Sequence, residues 1–116
     1  MQPEGRDFAA LWDMYQYALE VVELTRGFEP QEFADDLRTR RAVQYSLLAL
    51  GEAANRVSEE FKSAQSHIVW QEIIDQRHVL AHHYDTISFD SLWATATRRV
   101  PQLIDQLTVI LNIKPA

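Results

Sequence analysis

The sequence predicts an all-α protein, an antiparallel four-helix bundle with short connectors. Three observations predict it. Apolar residues recur three and four apart through four long stretches, the period of a helix that buries one face. No stretch alternates with period two, and no hairpin signal separates the stretches. The links between them are short, which suits antiparallel neighbours packed round one core.

The first helix is expected from about Arg6 to Arg26. Phe8, Leu11, Trp12, Tyr15, Leu19 and Val22 repeat at helical spacing, and this aromatic stripe is expected in the core. Asp7 lies in the first turn, where a carboxylate complements the helix dipole. Gly27 suits a C-terminal stop. Phe28 to Asp36 reads as a connector with one short helical turn beginning at Pro30.

A long second helix is expected from about Asp36 to Lys62. Val43, Leu47, Leu50, Ala54, Val57 and Phe61 alternate four and three apart, a bundle seam. Gly51, Ala53 and Ala54 are small, so another backbone can approach there. Glu52 beside them reads as an arginine partner or a surface residue. Ser63 to His67 is a turn, with His67 at the surface.

The third helix is expected from about Ile68 to His82 or His83, followed by a loop over Tyr84-Asp85-Thr86-Ile87. Ser88 is the N-cap of the fourth helix, with Asp90 in its first turn. That helix runs to about Asn112, with Phe89, Leu92 or Trp93, Ala96, Val100, Leu103, Leu107 and Ile110 as its seam. Pro101 removes a backbone hydrogen bond near Thr97, so a kink is expected. Lys114-Pro115-Ala116 is expected to fray.

At 116 residues and 47% hydrophobic content, the chain reads as one domain, residues 1–116, with ample material for one core. The absence of cysteine excludes disulfides, thiolate metal sites and a cysteine nucleophile, and suits the cytoplasm. No signal-peptide pattern opens the sequence. No apolar run reaches the ~20 residues of a membrane span. A net charge of −6 argues against nonspecific nucleic-acid binding by overall charge. It leaves room for a local basic site. Arg38, Arg40 and Arg41 cluster, as do Arg98 and Arg99. These runs read either as solvated helix faces or as phosphate contacts flanking an active site.

The chemistry concentrates in Gln76-Arg77-His78-Val79-Leu80-Ala81-His82-His83-Tyr84, which holds three of the four histidines. Trp70, Ile73, Ile74, Arg77 and Leu80 fall three or four apart, so Arg77 stands where the third helix should be apolar. Buried arginines are rare unless paired or used. On one helix Arg77 and His82 diverge by about 140°, at about 100° per residue. They converge on one phosphate only if the helix ends near His82 or if two copies of the motif meet. His78 and His82, four apart, also form a two-ligand metal pair, with His83 or Asp85 as a third ligand. A capped helix end is the plainest account: histidines near the C-terminal dipole, and Arg77 paired with Glu52 or Asp75.

Arg77, His82 and Tyr84 form R-x4-H-x-Y, which resembles the signature of HepT-like toxins in the HEPN superfamily. Leu50-Gly51-Glu52-Ala53-Ala54 and Trp70-Gln71-Glu72-Ile73-Ile74 also resemble HepT-like chains at the expected distances. The likeness runs from about Phe8 to Leu111. One departure is His83, where such chains often carry glycine.

The resemblance implies a HEPN-type bundle and a homodimer with both motifs facing one cleft. It implies metal-independent RNA cleavage with no cofactor, using Arg77 and His82 with His78 in support. A histidine takes the ribose 2′-OH proton, and Arg77 stabilises charge on the phosphate. It also implies a type VII toxin–antitoxin pair, in which an MNT nucleotidyltransferase antitoxin transfers AMP to Tyr84. The alternative is a non-catalytic HEPN module that binds a nucleotide or a nucleotidyltransferase partner.

Overall fold

The computed structural model describes residues 2–113, and of Tyr84 only the backbone. The Lys114-Pro115-Ala116 tail lies outside the described residues. Among those residues the fold is all-helical, with no strand. The long helices are α1 (Gly5–Thr25), α3 (Leu37–Arg56) and α5 (Trp70–His82), followed by a composite fourth rod. That rod comprises α6 (Phe89–Ala94), a π-helical turn (Thr95–Arg99) and α7 (Val100–Ile110). Two short helices, α2 (Pro30–Asp35) and α4 (Glu59–Ala64), fill connectors. The bundle therefore contains the four expected rods plus helical connectors.

Helix α3 is the central element. It packs against α1 on one side and α5 on the other, while α7 closes over α1. Its seam residues Val43, Leu47, Leu50, Ala54 and Val57 are all buried. Phe61, expected on the same helix, is fully buried but belongs to α4. The single helix expected to Lys62 breaks at Val57, which is extended, and Ser58 caps a new helix by accepting from the Phe61 N–H at 3.1 Å. Asp7 of α1 fixes the break. Its carboxylate accepts from the Ser58 N–H at 2.8 Å and the Ser58 hydroxyl at 2.7 Å. A side chain 51 positions away overrides a continuous apolar seam.

Helix α1 corrects a second expectation. The buried row is Ala10, Leu11, Met14, Ala18 and Val21. Phe8, Trp12 and Leu19 are exposed at 44%, 41% and 38%, and Tyr15 is half-buried. The apolar surface of α1 is wider than one face. Its small alanines turn toward α3 and α7, which allows close packing and leaves the large rings on the flank. Phe8 and Trp12 stack there at 6.5 Å.

The start and stop signals act as read. Gly27 adopts φ +80°, the left-handed conformation that ends a helix. Pro30 opens α2. Ser88 caps α6, its hydroxyl accepting from the Ser91 N–H at 3.1 Å. Phe89, expected in the seam of the fourth rod, is exposed. Pro101 is accommodated by the π turn that precedes it, in which the Val100 N–H reaches back to the Thr95 carbonyl. The Thr97 hydroxyl donates to the Trp93 carbonyl at 2.7 Å within the same turn.

The contact between α3 and α5 turns on Gly51. A Cβ there would clash with the Arg77 Cβ and lie 3.1 Å from the Ile73 carbonyl oxygen. Gly51→Ala is therefore expected to destabilise the protein by about 1–3 kcal/mol, the usual cost of overpacking. This outweighs the roughly 1 kcal/mol that alanine gains over glycine inside a helix. Urea denaturation checks it, and an unchanged or raised midpoint would contradict the close approach.

Candidate active site

Helix α5 positions the motif. Trp70 and Leu80 are buried, and Ile73 and Ile74 pack against the core, so one row of α5 faces inward. Arg77 lies in that row. Because Gly51 lacks a side chain, the α5 backbone settles onto α3 at this point, and the Arg77 side chain leaves along α3. The next residue of α3 is Glu52. Arg77 Nε donates to Glu52 Oε1 in an ion pair whose side chains are 30% and 46% exposed.

This pairing fixes the plane of the guanidinium. Glu52 takes the Nε–H, and the group's other N–H donors keep their fork geometry, the geometry that binds phosphate through two parallel bonds. Of the two partners expected for Arg77, the structure selects Glu52. Asp75 instead accepts from the Gln71 amide at 2.7 Å.

The histidines occupy a different side of α5. His82 is the last helical residue, and His83 is the C-cap, its N–H bonded to the Val79 carbonyl at 2.8 Å. The His78 and His82 rings lie 4.7 Å apart, and His78 and His83 lie 6.2 Å apart. All three are exposed. The helix persists through His82, so the divergence from Arg77 persists too. Among the described residues no hydrogen bond, ion pair or ring contact joins Arg77 to His82. Nor do three His, Asp or Glu residues gather in a geometry that could hold a metal ion. Tyr84 begins a one-turn 3-10 segment, Tyr84–Thr86, and its side chain lies outside the described residues.

The arginine clusters separate by role. Arg40 donates to the Ala34 carbonyl and so ties α3 to α2. Arg41 donates to Gln44 Oε1 at 2.8 Å, and Arg99 to Glu72 Oε2 at 2.8 Å. Arg38 and Arg98 are exposed.

A cavity of about 560 Å³ opens on the other flank of α5, away from His78 and His82. Its polar lining includes His67, Glu72, Gln76, Thr95 and Arg99, and Gln76 donates to the Thr95 hydroxyl at 3.2 Å. The sequence reading did not find this feature. Its one signal was a proline inside a helical pattern, since the π turn ahead of Pro101 places Thr95 and Arg99 on the cavity wall.

The comparisons with known proteins bear on the same elements. Residues 14–110 match the family described as "Ribonuclease HepT-like", a span that includes Gly51, Glu52 and the whole motif. The chain belongs to the HepT-like ribonuclease family. Among its relatives is the "Probable ribonuclease HepT" of Thermococcus cleftensis, 32% identical over 74% of this chain and 79% of that protein. A Caldanaerobacter subterraneus protein named "Putative RNase" is 31% identical over 79% of this chain and 82% of its own length. A Methanocaldococcus jannaschii protein of the same description is 28% identical over 88% of this chain and 94% of its own. No solved structure gives a significant match. In this HepT-like chain no helix among the described residues is long and apolar enough to cross a membrane.

The Arg77–Glu52 pair is open to direct test. Its exposure lies between a surface pair, worth about 0.2–1 kcal/mol, and a buried bond to a charged group, worth about 1.5–3 kcal/mol. A double-mutant cycle on Glu52→Ala and Arg77→Ala is expected to give a coupling near 1 kcal/mol by urea denaturation. A coupling indistinguishable from zero would remove Glu52 as the residue that orients Arg77.

Proposed function

We propose that this HepT-like chain is a metal-independent endoribonuclease toxin that acts as a homodimer. The observation that carries the reading is the geometry of α5. It holds a pre-oriented arginine on one side and an exposed histidine pair on the other, in a chain of a ribonuclease family. A single copy does not bring Arg77 and His82 to one phosphate. Two copies meeting at the ends of their α5 helices would supply both.

In the proposed reaction the neutral His82 of one copy takes the proton from a ribose 2′-OH. The 2′ oxygen attacks the adjacent phosphorus. Arg77 binds the non-bridging oxygens and stabilises the charge that builds on them. A protonated histidine gives its proton to the departing 5′ oxygen. The products are a 2′,3′-cyclic phosphate and a free 5′-OH. His78, one turn from His82, orients that ring or shares its proton. DNA lacks the 2′-OH and is not cleaved.

The regulatory partner in this reading is an MNT-type nucleotidyltransferase, which transfers AMP to Tyr84 in the cytoplasm. The backbone position of Tyr84, two residues beyond the end of α5, supports this. An anionic adduct there would occupy the site that Arg77 offers to phosphate and repel RNA.

Purified protein is expected to cleave RNA in EDTA and to leave a 2′,3′-cyclic phosphate. His82→Ala and Arg77→Ala are each expected to lower the rate by about 10²–10⁴ with helicity unchanged. Activity that is lost in EDTA and restored by zinc or manganese would overturn the mechanism. Incubation with the nucleotidyltransferase and ATP should add one AMP to the wild type and none to Tyr84→Phe. Adenylylation that persists in the variant would place the acceptor elsewhere. Sedimentation as a monomer at micromolar concentration would count against the composite site.

A further inference from the structure

Tyr45 is the most exposed of the large aromatic side chains recorded at the surface, at 64%, against 45% for Phe89. Its place on α3 sets it apart from a scattered surface ring. Arg38, Arg41, Tyr45, Leu48 and Glu52 follow one another three or four apart, so they form a single stripe along α3. The stripe ends at Glu52, which holds Arg77. Two helical turns, about 10 Å at 1.5 Å per residue, separate Tyr45 from Glu52.

Leu47 and Leu50 of α3 and Ile73 and Gln76 of α5 line the cavity, whereas the Glu52–Arg77 pair, the Tyr45 stripe and the exposed His78 and His82 lie outside that lining. This face gathers Arg41, Tyr45, Arg77, His78 and His82 on a protein whose net charge is −6. Its carboxylate, Glu52, is already neutralised by Arg77. Arg41 donates from one Nη to Gln44 Oε1 and remains exposed.

We propose that Tyr45 is a stacking platform for a nucleobase of single-stranded RNA, lying next to the nucleotide whose phosphate Arg77 binds, with Arg41 on the flanking backbone. The proposal rests on the ribonuclease reading above and adds a binding residue to it. Aromatic rings beside a cationic track are the usual means of holding single strands, and they tolerate any base because each base has a π face. The flat tyrosine ring loses little freedom on binding, since only two torsions orient it. The half-buried Leu48 and the aliphatic stem of Arg41 flank the ring one turn away on either side and give the base an apolar floor.

The test separates binding from cleavage. Fluorescence anisotropy is measured with a short fluorescein-labelled 2′-O-methyl RNA, which has no free 2′-OH and cannot be cleaved by the proposed route. Tyr45→Ala is expected to bind it about 5- to 100-fold more weakly than wild type, the usual loss for one stacked base. Tyr45→Phe, which keeps the ring, is expected to match wild type. Sedimentation is expected to show the same oligomeric state in all three proteins. Equal affinity in Tyr45→Ala and wild type overturns the proposal, as does a wild type that does not bind. If Tyr45→Ala dissociates an oligomer that wild type forms, the ring belongs to a protein interface and the proposal fails. If wild-type protein binds with this Tyr45 dependence yet cleaves no RNA, the stacking site stands and the ribonuclease reading falls.

Discussion

The arrangement depends on one steric constraint, the contact between α3 and α5 at Gly51. Helices that pack through side chains keep their axes about 8–10 Å apart. Removing one Cβ at the crossing lets α5 sit lower on α3, and Arg77 occupies the space that a larger residue would need. Three consequences follow from that seat. The stem of Arg77 is packed, its Nε meets Glu52, and the side chain stays partly exposed. A charged side chain can then stand in the inward row of α5 without an unpaired buried charge, which would be far more costly.

The same seat explains why the motif divides in two. Arg77 is bound into the bundle, whereas His78, His82 and His83 lie at an exposed helix end, where the His78 ring neighbours those of His82 and His83. One half is packed against the bundle and the other is exposed. Such a division suits the composite site proposed above, because the exposed half is open to a second copy. The small residues that follow Gly51 have a parallel role: Ala53 and Ala54 are fully buried and keep α3 close to its neighbours.

Much of this was legible in the sequence, for identifiable reasons. The seam of α3 was legible because its neighbours cover that face along the whole length. The caps at Gly27, Pro30 and Ser88 were legible because their chemistry is local. The Gly51–Glu52–Arg77 relation was half legible, since a small residue beside a carboxylate and an arginine in an apolar row each seek a partner. Three features were not. The break at Val57 depends on Asp7, which no local pattern connects to Ser58. The stripe on α1 has two overlapping apolar rows, and periodicity cannot say which one turns inward. The prominence of Tyr45 arises from its alignment with Glu52, which matters only once Glu52 is known to hold Arg77.

The Asp7–Ser58 clamp also bears on the order in which the molecule assembles. The first turn of α4 is a short helix with little propensity of its own, and isolated helices of this length do not persist in water. Its capping serine is held by a carboxylate from the first turn of α1, which lies beside the C-terminal end of α3. The cap of α4 is therefore complete only when α1 is docked on α3. Its amides then report on a distant event: exchange at Phe61, whose N–H the Ser58 hydroxyl holds, tracks the docking of α1 more than the local stability of α4.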